Sequence, residues 1–241
     1  MERPGHRGDA PRRCRLRERR GLCPYARARS SKPRVRRPDL QILRAAGLRT
    51  VSWKNGGGIT TEIAARPRGA ALDAFDWRVS TARIAREGPF SAFPGIDRTL
   101  AIVSGNGLVL EVEGRDPMTL SAGSEPIAFP GDVPTYARLA AGPIADLNVM
   151  TRRGRFRHGV LPVIRAAQHM FADDVDTVVL VATDGPVEFD GPGEGSNTRL
   201  APGDAVVIES AAGRQIAIRP IGGACAWLVT LHTAVVQASS G

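Results

Sequence analysis

Two stretches of the chain read as versions of one β-unit, and this approximate repeat restricts the fold more than any other feature. Thr99 to Gly107 is TLAIVSGNG and Thr177 to Gly185 is TVVLVATDG. Each run is rich in β-branched and apolar residues. Each ends in Asn106-Gly107 or Asp184-Gly185, the strongest short-range signal of a tight hairpin turn. A second strand-like segment follows in both, LVLEVEG and PVEFDG. Further on, Pro130 to Asp132 and Pro202 to Asp204 each read Pro-Gly-Asp, where Pro presets one dihedral and Gly allows a positive one, so a sharp corner is expected. Closing strands are expected at Ala145 to Thr151 and Ala224 to His232. The copies are offset by 78 residues at the hairpins and 72 at the corners, so their loops differ in length. An antiparallel β-repeat of this size is what a jelly-roll barrel requires. With 27 Gly and 18 Pro among 241 residues, short strands joined by turns fit better than a helical bundle, and the chain is expected to be all-β.

The formal net charge of +9 suggests a nucleic-acid partner until it is divided along the chain. Residues 1–38 hold 13 Arg and one Lys against Glu2, Asp9 and Glu18, a net +11, which leaves 19 basic and 21 acidic residues, a net −2, for the rest. The globular part therefore implies neither nucleic acid nor anionic lipid. The basic arm lacks hydrophobic periodicity, is broken by Pro4, Pro11, Pro24, Pro33 and Pro38, and is expected to be disordered. Three readings of it stand: a solvated or misassigned-start extension, a nucleic-acid-binding arm and a targeting peptide. No apolar run follows either Arg pair, which argues against a targeting signal, and of the other two readings the solvated or misassigned extension is favoured. No run reaches the roughly 18 apolar residues of a membrane helix, so a cytoplasmic protein without membrane attachment is expected.

Cys14, Cys23 and Cys225 are an odd, scattered set that predicts no disulfide framework, and Cys225 reads as a small core residue. Leu100 to Thr151 contains no His, while His158, His169 and His232 have no ligand spacing and His6 lies in the arm. No metal site and no cofactor are expected. No GxSxG elbow is present, and Ser80, Ser91 and Ser104 read as structural hydroxyls. Acid–base work by Glu62 or Asp146 stays open as an alternative.

Four motifs then occur in order: WKNGGGITTEI at Trp53 to Ile63, WRVSTARI at Trp77 to Ile84, GPFSAFPGIDR at Gly88 to Arg98 and DLNVMTRRG at Asp146 to Gly154. Over about Leu40 to Leu231 the chain resembles the HutD/Ves family. The resemblance implies a double cupin, two jelly-roll-type barrels of the RmlC-like kind. It divides the chain into the extension 1–38, a first barrel with N-terminal strands at 39–157, a second barrel at 158–235 and a flexible tail at 236–241. It also implies a role in bacterial histidine utilisation, where the family is thought to limit pathway expression, while its Ves branch has been linked to an esterase activity.

Strand alternation sorts the side chains by face. Arg78, Ser80, Ala82 and Ile84 share one face of WRVSTARI, and Asp146, Asn148 and Met150 share one face of DLNVM. Leu147 and Val149 are left to pack between sheets or on the partner barrel. The glycine run Asn55 to Gly58 lacks the Lys-Ser/Thr pair of a phosphate loop and leads into strand-like residues. It reads as a turn needing positive dihedrals, or else as a rim of the pocket. The expected ligand-binding set is Trp53, Asn55, Gly56, Gly57, Thr60, Glu62, Arg78, Ser80, Arg98, Asp146, Asn148 and Met150, with no catalytic or metal-binding residue assigned. Arg78 is the expected cavity cation, partnered either internally by Asp146 or Glu62 or by a ligand carboxylate. The leading expectation is metal-free binding and regulation by a small polar or acidic metabolite such as formylglutamate or urocanate. The alternatives are a hydrolase or isomerase of small acids and nucleic-acid contact through the arm. A homodimer is compatible with the sequence.

Overall fold

The computed structural model describes residues 40–192 and 197–234. The Arg-rich segment 1–38 and the tail 236–241 lie outside the described residues. The strands of the first half are β1 (Leu40–Leu43), β2 (Arg49–Ser52), β3 (Gly58–Arg66), β4 (Trp77–Ile84), β5 (Gly88–Pro89), β6 (Ile96–Ser104), β7 (Leu108–Val112), β8 (Met118–Leu120), β9 (Ile127–Pro130), β10 (Thr135–Leu139) and β11 (Ile144–Arg152). Those of the second half are β12 (Phe156–Val163), β13 (Ala167–Met170), β14 (Thr177–Ala182), β15 (Val187–Asp190), β16 (Asn197–Leu200), β17 (Ala205–Glu209), β18 (Gln215–Pro220) and β19 (Ala226–Thr233). Helix among the described residues is confined to one 3-10 turn, Ala45–Gly47.

These strands form four sheets. A six-stranded sheet of order β2-β3-β4-β11-β6-β9 faces the four-stranded β5-β10-β7-β8 across Leu100, Ile102, Leu108, Leu110, Phe129 and Ile144. A five-stranded sheet, β1-β17-β14-β19-β12, faces β13-β18-β15-β16 across Leu180, Phe189, Leu200, Ile208 and Ile216. The result is two jelly-roll-type barrels, an all-β double cupin. The turns at Asn106-Gly107 and Asp184-Gly185 do not close the expected hairpins: β6 and β7 lie in different sheets, as do β14 and β15, so each turn carries the chain across its barrel, and β6 and β14 pair instead with the closing strands β11 and β19.

Two local features follow from tertiary contacts and not from turn chemistry. Gly203 adopts the positive φ of 85° that its corner motif suggests, whereas Gly131 is not among the residues with positive φ. At Gly131 a Cβ would lie 3.0 Å from both Arg98 Cδ and the Ile96 carbonyl, so the corner needs a residue without a side chain for a different reason. The chain also begins in the other barrel, since Leu40 to Leu43 pair with Ile208 to Ala205 on β17 before β2 opens the first barrel. Asp204 clasps this entry, its carboxylate accepting from Arg44 at 2.6 Å and from the Ala45 N–H at 2.9 Å.

Between the barrels, the apolar faces of the two large sheets meet. Val79, Leu147 and Val149 pack with Val179, Val207, Trp227 and Val229, all buried. This is where alternation along β11 places Leu147 and Val149. His158 sits in the same seam, with the Thr151 hydroxyl 2.7 Å from Nδ1 and the Thr99 hydroxyl 2.8 Å from Nε2. A neutral imidazole satisfies both, donating from one nitrogen and accepting at the other. Burial lowers the His158 pKa from 6.5 to about 4 and outweighs the opposing effect of the Asp97 charge.

An unfolded chain therefore takes up the His158 proton before the folded one does as the pH falls. The contribution of the neutral ring to stability is complete above about pH 6.5 and is lost towards pH 4. Urea unfolding of the parent and of His158→Gln should show the parent losing roughly 3 kcal/mol relative to the variant across that interval. A difference that stays constant with pH would contradict a buried neutral imidazole.

Candidate functional site

The inner face of the six-stranded sheet carries polar residues in register. Arg78, Met150 and Arg98 stand side by side on β4, β11 and β6, and the next row inward is Glu62, Ser80, Asn148 and Leu100. Thr60, Ala82, Asp146 and Ile102 form a third row. All of these except Leu100 and Ile102 line a cavity of about 880 Å³ whose wall also includes Trp53, Phe90 and Phe93 and whose rim includes Arg49, Lys54 and Leu72.

Arg78 is committed within the protein. Its Nε donates to Glu62 Oε2 at 2.8 Å and its Nη1 to Ser80 Oγ at 3.2 Å. Simple alternation along β3 does not predict this contact. A register shift between Glu62 and Ala64 puts Glu62 opposite Ser80 and Ala65 opposite Arg78, and such a bulge re-aims a side chain. Of the two internal partners considered for Arg78, the structure provides Glu62.

Arg98 is held differently. It is 5% exposed, and its guanidinium lies 4.9, 5.6 and 5.1 Å from the ring centres of Phe90, Phe93 and Phe129. One long bond, 3.4 Å, runs from Nη1 to the Ser91 carbonyl, and Nε has no hydrogen-bond partner. Burial pulls the Arg98 pKa down to about 10, with Asp146 working against the shift and Arg78 adding to it, so the group stays charged at neutral pH. The phenyl faces stabilise a cation while accepting no conventional hydrogen bond from it.

Asp146 is also buried, at 2% exposure. Its Oδ1 accepts from the Ala82 N–H at 3.1 Å, and burial pushes its pKa up to about 7 against the opposing effects of Arg98 and that hydrogen bond. No salt bridge joins Asp146 to Arg98, although each shifts the other's protonation. Asn148 presents a buried Oδ1 without a partner. At the mouth, Trp53 Nε1 donates to Thr60 Oγ1 at 2.8 Å, which fixes the indole against the wall.

Ten of the twelve expected residues line this cavity, and Gly56 and Gly57 do not. Gly56 takes up the left-handed φ of 68°, and the Gly57 N–H turns onto Asn55 Oδ1 at 2.9 Å, so the loop uses its own amide groups. The aromatic surround of Arg98 escaped the strand-based reading, because Phe90 and Phe93 reach it from a loop and Phe129 from β9. The spacing in GPFSAF, with two phenylalanines three apart ahead of Arg98, was the available signal.

Metal ligation does not fit this site. Among the described residues no group of three or more His, Cys, Asp or Glu could hold an ion. The cavity wall contains no His or Cys, and its two carboxylates are one bonded to Arg78 and one near Arg98, surroundings that repel a cation. No helix among the described residues is long and apolar enough to cross a membrane.

A family model, HutD, matches residues 45–226. A 21.2 kDa protein in the hutC 3′ region of Pseudomonas putida is 39% identical over 119 residues, which is 49% of this chain and 62% of that protein. Protein Ves of Citrobacter koseri is 41% identical over 104 residues, 43% of this chain and 53% of the relative. The matched stretch thus spans less than two thirds of either curated relative. The structure of HutD from Pseudomonas fluorescens SBW25, in a formate condition, superposes with a TM-score of 0.68 at 30% identity, covering 80% of this chain and 98% of the other.

The Arg78–Glu62 bond can be measured directly. In a double-mutant cycle of Arg78→Ala and Glu62→Gln, the two stability losses should fall short of additivity by about 1 to 3 kcal/mol. Additive losses would mean that the pair does not act as a unit.

Proposed function

The chain belongs to the HutD family, and from that premise we propose that it is a metal-free binding protein that holds a small acidic metabolite in its first barrel and thereby regulates histidine utilisation. The observation that carries this reading is Arg98, a buried, charged guanidinium with an unpartnered Nε in a cavity large enough for a small metabolite. A buried cation of this kind gains most from a carboxylate, whose two oxygens match the guanidinium fork. Asn148 Oδ1 on the adjacent strand seeks a donor, so the ligand chemistry is a carboxylate with an N–H or O–H a few ångströms away. Arg49 and Lys54 at the rim add positive charge along the way in. The location of the Pseudomonas putida relative in the hutC 3′ region supports the link to histidine utilisation.

Calorimetric titration with formylglutamate, urocanate and glutamate tests the site. For a ligand that the parent binds, Arg98→Ala should lose roughly 30-fold or more in affinity, about 2 kcal/mol, and Asn148→Ala should lose less. Unchanged affinity in Arg98→Ala would remove the cavity from the function.

Elemental analysis of protein purified without added ions tests the metal-free reading. It should find no stoichiometric zinc, iron, manganese or nickel. One equivalent of bound metal would overturn that part of the proposal.

A further inference from the structure

The first barrel buries more charge than its hydrogen bonds account for. Glu62 and Arg78 neutralise one another across β3 and β4. That leaves one cation, Arg98 on β6, and one carboxyl group, Asp146 on β11, which line the same cavity and form no salt bridge with each other. The carboxyl group has a single hydrogen bond from the protein, the Ala82 N–H. Met150 stands beside Arg98 in the register, and Asp146 follows it along the same inward-facing set past Asn148, so a ligand anchored on Arg98 extends along β11 towards Asp146.

We propose that a carboxylate captured by Arg98 is bound together with one proton, which Asp146 takes up. The inference rests on the reading of this cavity as a carboxylate site and adds to it a second participant and a stoichiometry. In the ligand-free cavity an ionised Asp146 balances the charge of Arg98. A bound carboxylate brings a second anion into the cavity of Arg98 and Asp146, which are 5% and 2% exposed, and a nearby like charge added to burial favours the neutral form of the acid. The ligand anion occupies the guanidinium fork, so Asp146 gives up its charge by accepting a proton from solvent. As an acid it keeps Oδ1 on the Ala82 N–H and becomes a donor towards the cavity.

The charged groups that face Asp146 are Arg98 from β6 and, beyond Asn148, Arg78 and Glu62 from β4 and β3, with Arg49 and Lys54 at the rim. No His lines the cavity, and His158 lies on the opposite side of the sheet among seam residues. Burial has already brought Asp146 to about 7, so the coupling operates near neutral pH.

Calorimetry in two buffers of different ionisation enthalpy, with formate and formylglutamate as probes, counts the protons directly. Both probes are fully ionised well above pH 4, so they supply no proton change of their own. The parent at pH 8 should take up close to one proton per probe bound, and its affinity should weaken by about tenfold per pH unit between pH 8 and 9. Asp146→Asn imitates the protonated acid and should bind with no proton uptake, with an affinity independent of pH in this range and tighter than the parent at pH 9. Probe binding by the parent without proton uptake, or uptake that survives in Asp146→Asn, would refute the coupling and leave the carboxylate site standing. A parent that binds neither probe would refute the site itself and the coupling with it.

Discussion

Strands β4, β6 and β11 have to serve two neighbours at once, because one face of their sheet is pressed against the second barrel and the other looks into the first. The period of two along an extended strand lets one segment meet both demands. On β11, Leu147 and Val149 enter the seam while Asp146, Asn148 and Met150 face the cavity. The seam side anchors the arrangement, since each fully buried Val or Leu there contributes about 1.5 to 3 kcal/mol. That backing lets the cavity side carry Arg98 and Asp146, neither of which has an ion-pair partner among the described residues, Asp146 holding only the Ala82 N–H and Arg98 one long bond.

The two barrels show how one architecture acquires a site in a single copy. The closing strand β19 occupies the place in its sheet that β11 occupies in the other, beside the strand that opens the repeat, β14 or β6. Its barrel-facing residues include Ala226 and Leu228, part of a continuous apolar core with Leu180, Phe189, Leu200 and Ile218. The first barrel has a comparable apolar core of Leu100, Ile102, Leu108 and Leu110, but exchanges hydrocarbon for Arg, Ser, Asn and Asp over the rest of its wall. Chemistry resides in that exchange and not in the fold, which is shared. Both corner motifs also use their Asp to bind an Arg from elsewhere in the chain, Asp132 with Arg153 and Asp204 with Arg44, so the repeat extends to the way each corner is tied down.

The features legible in the sequence are those with a local period or a turn code. The β-repeat, its two sharp turns and the inward set on WRVSTARI and DLNVM follow from alternation and Gly-containing turns, and the strands occur where those signals stand, but the turns join strands of facing sheets and close no hairpin, because each strand finds its partner elsewhere in the barrel. The features that were not legible depend on contacts between distant segments. The partner of Arg78 turns on a bulge between Glu62 and Ala64, which shifts the register without an obvious mark in ITTEIAAR. The entry of Leu40 to Leu43 into the second barrel depends on an edge of β17 more than 160 residues away. The Pro-Gly-Asp setting of Gly131 reads as a turn code, yet its side-chain position is crowded by Arg98, a constraint visible only once β6 and the corner are in contact.

The two arginines of the first register row show why the surroundings of a cation matter more than its presence. Arg78 is quenched, because a carboxylate on its Nε satisfies both its charge and its geometry. Arg98 is surrounded by three phenyl rings, which offset part of the cost of burying its charge through their quadrupoles but take almost none of its N–H groups. Replacing that aromatic surround with a carboxylate would hold the side chain more firmly and remove its capacity to bind anything else. The cage therefore fixes the position of a guanidinium while leaving its Nε without an acceptor and its Nη1 on one long bond. For the same reason Asp146 stands apart from Arg98 without a salt bridge: a direct ion pair would close the fork. A carboxyl group held at that distance and close to neutrality can balance the cation when the cavity holds no anion and withdraw its charge when one enters.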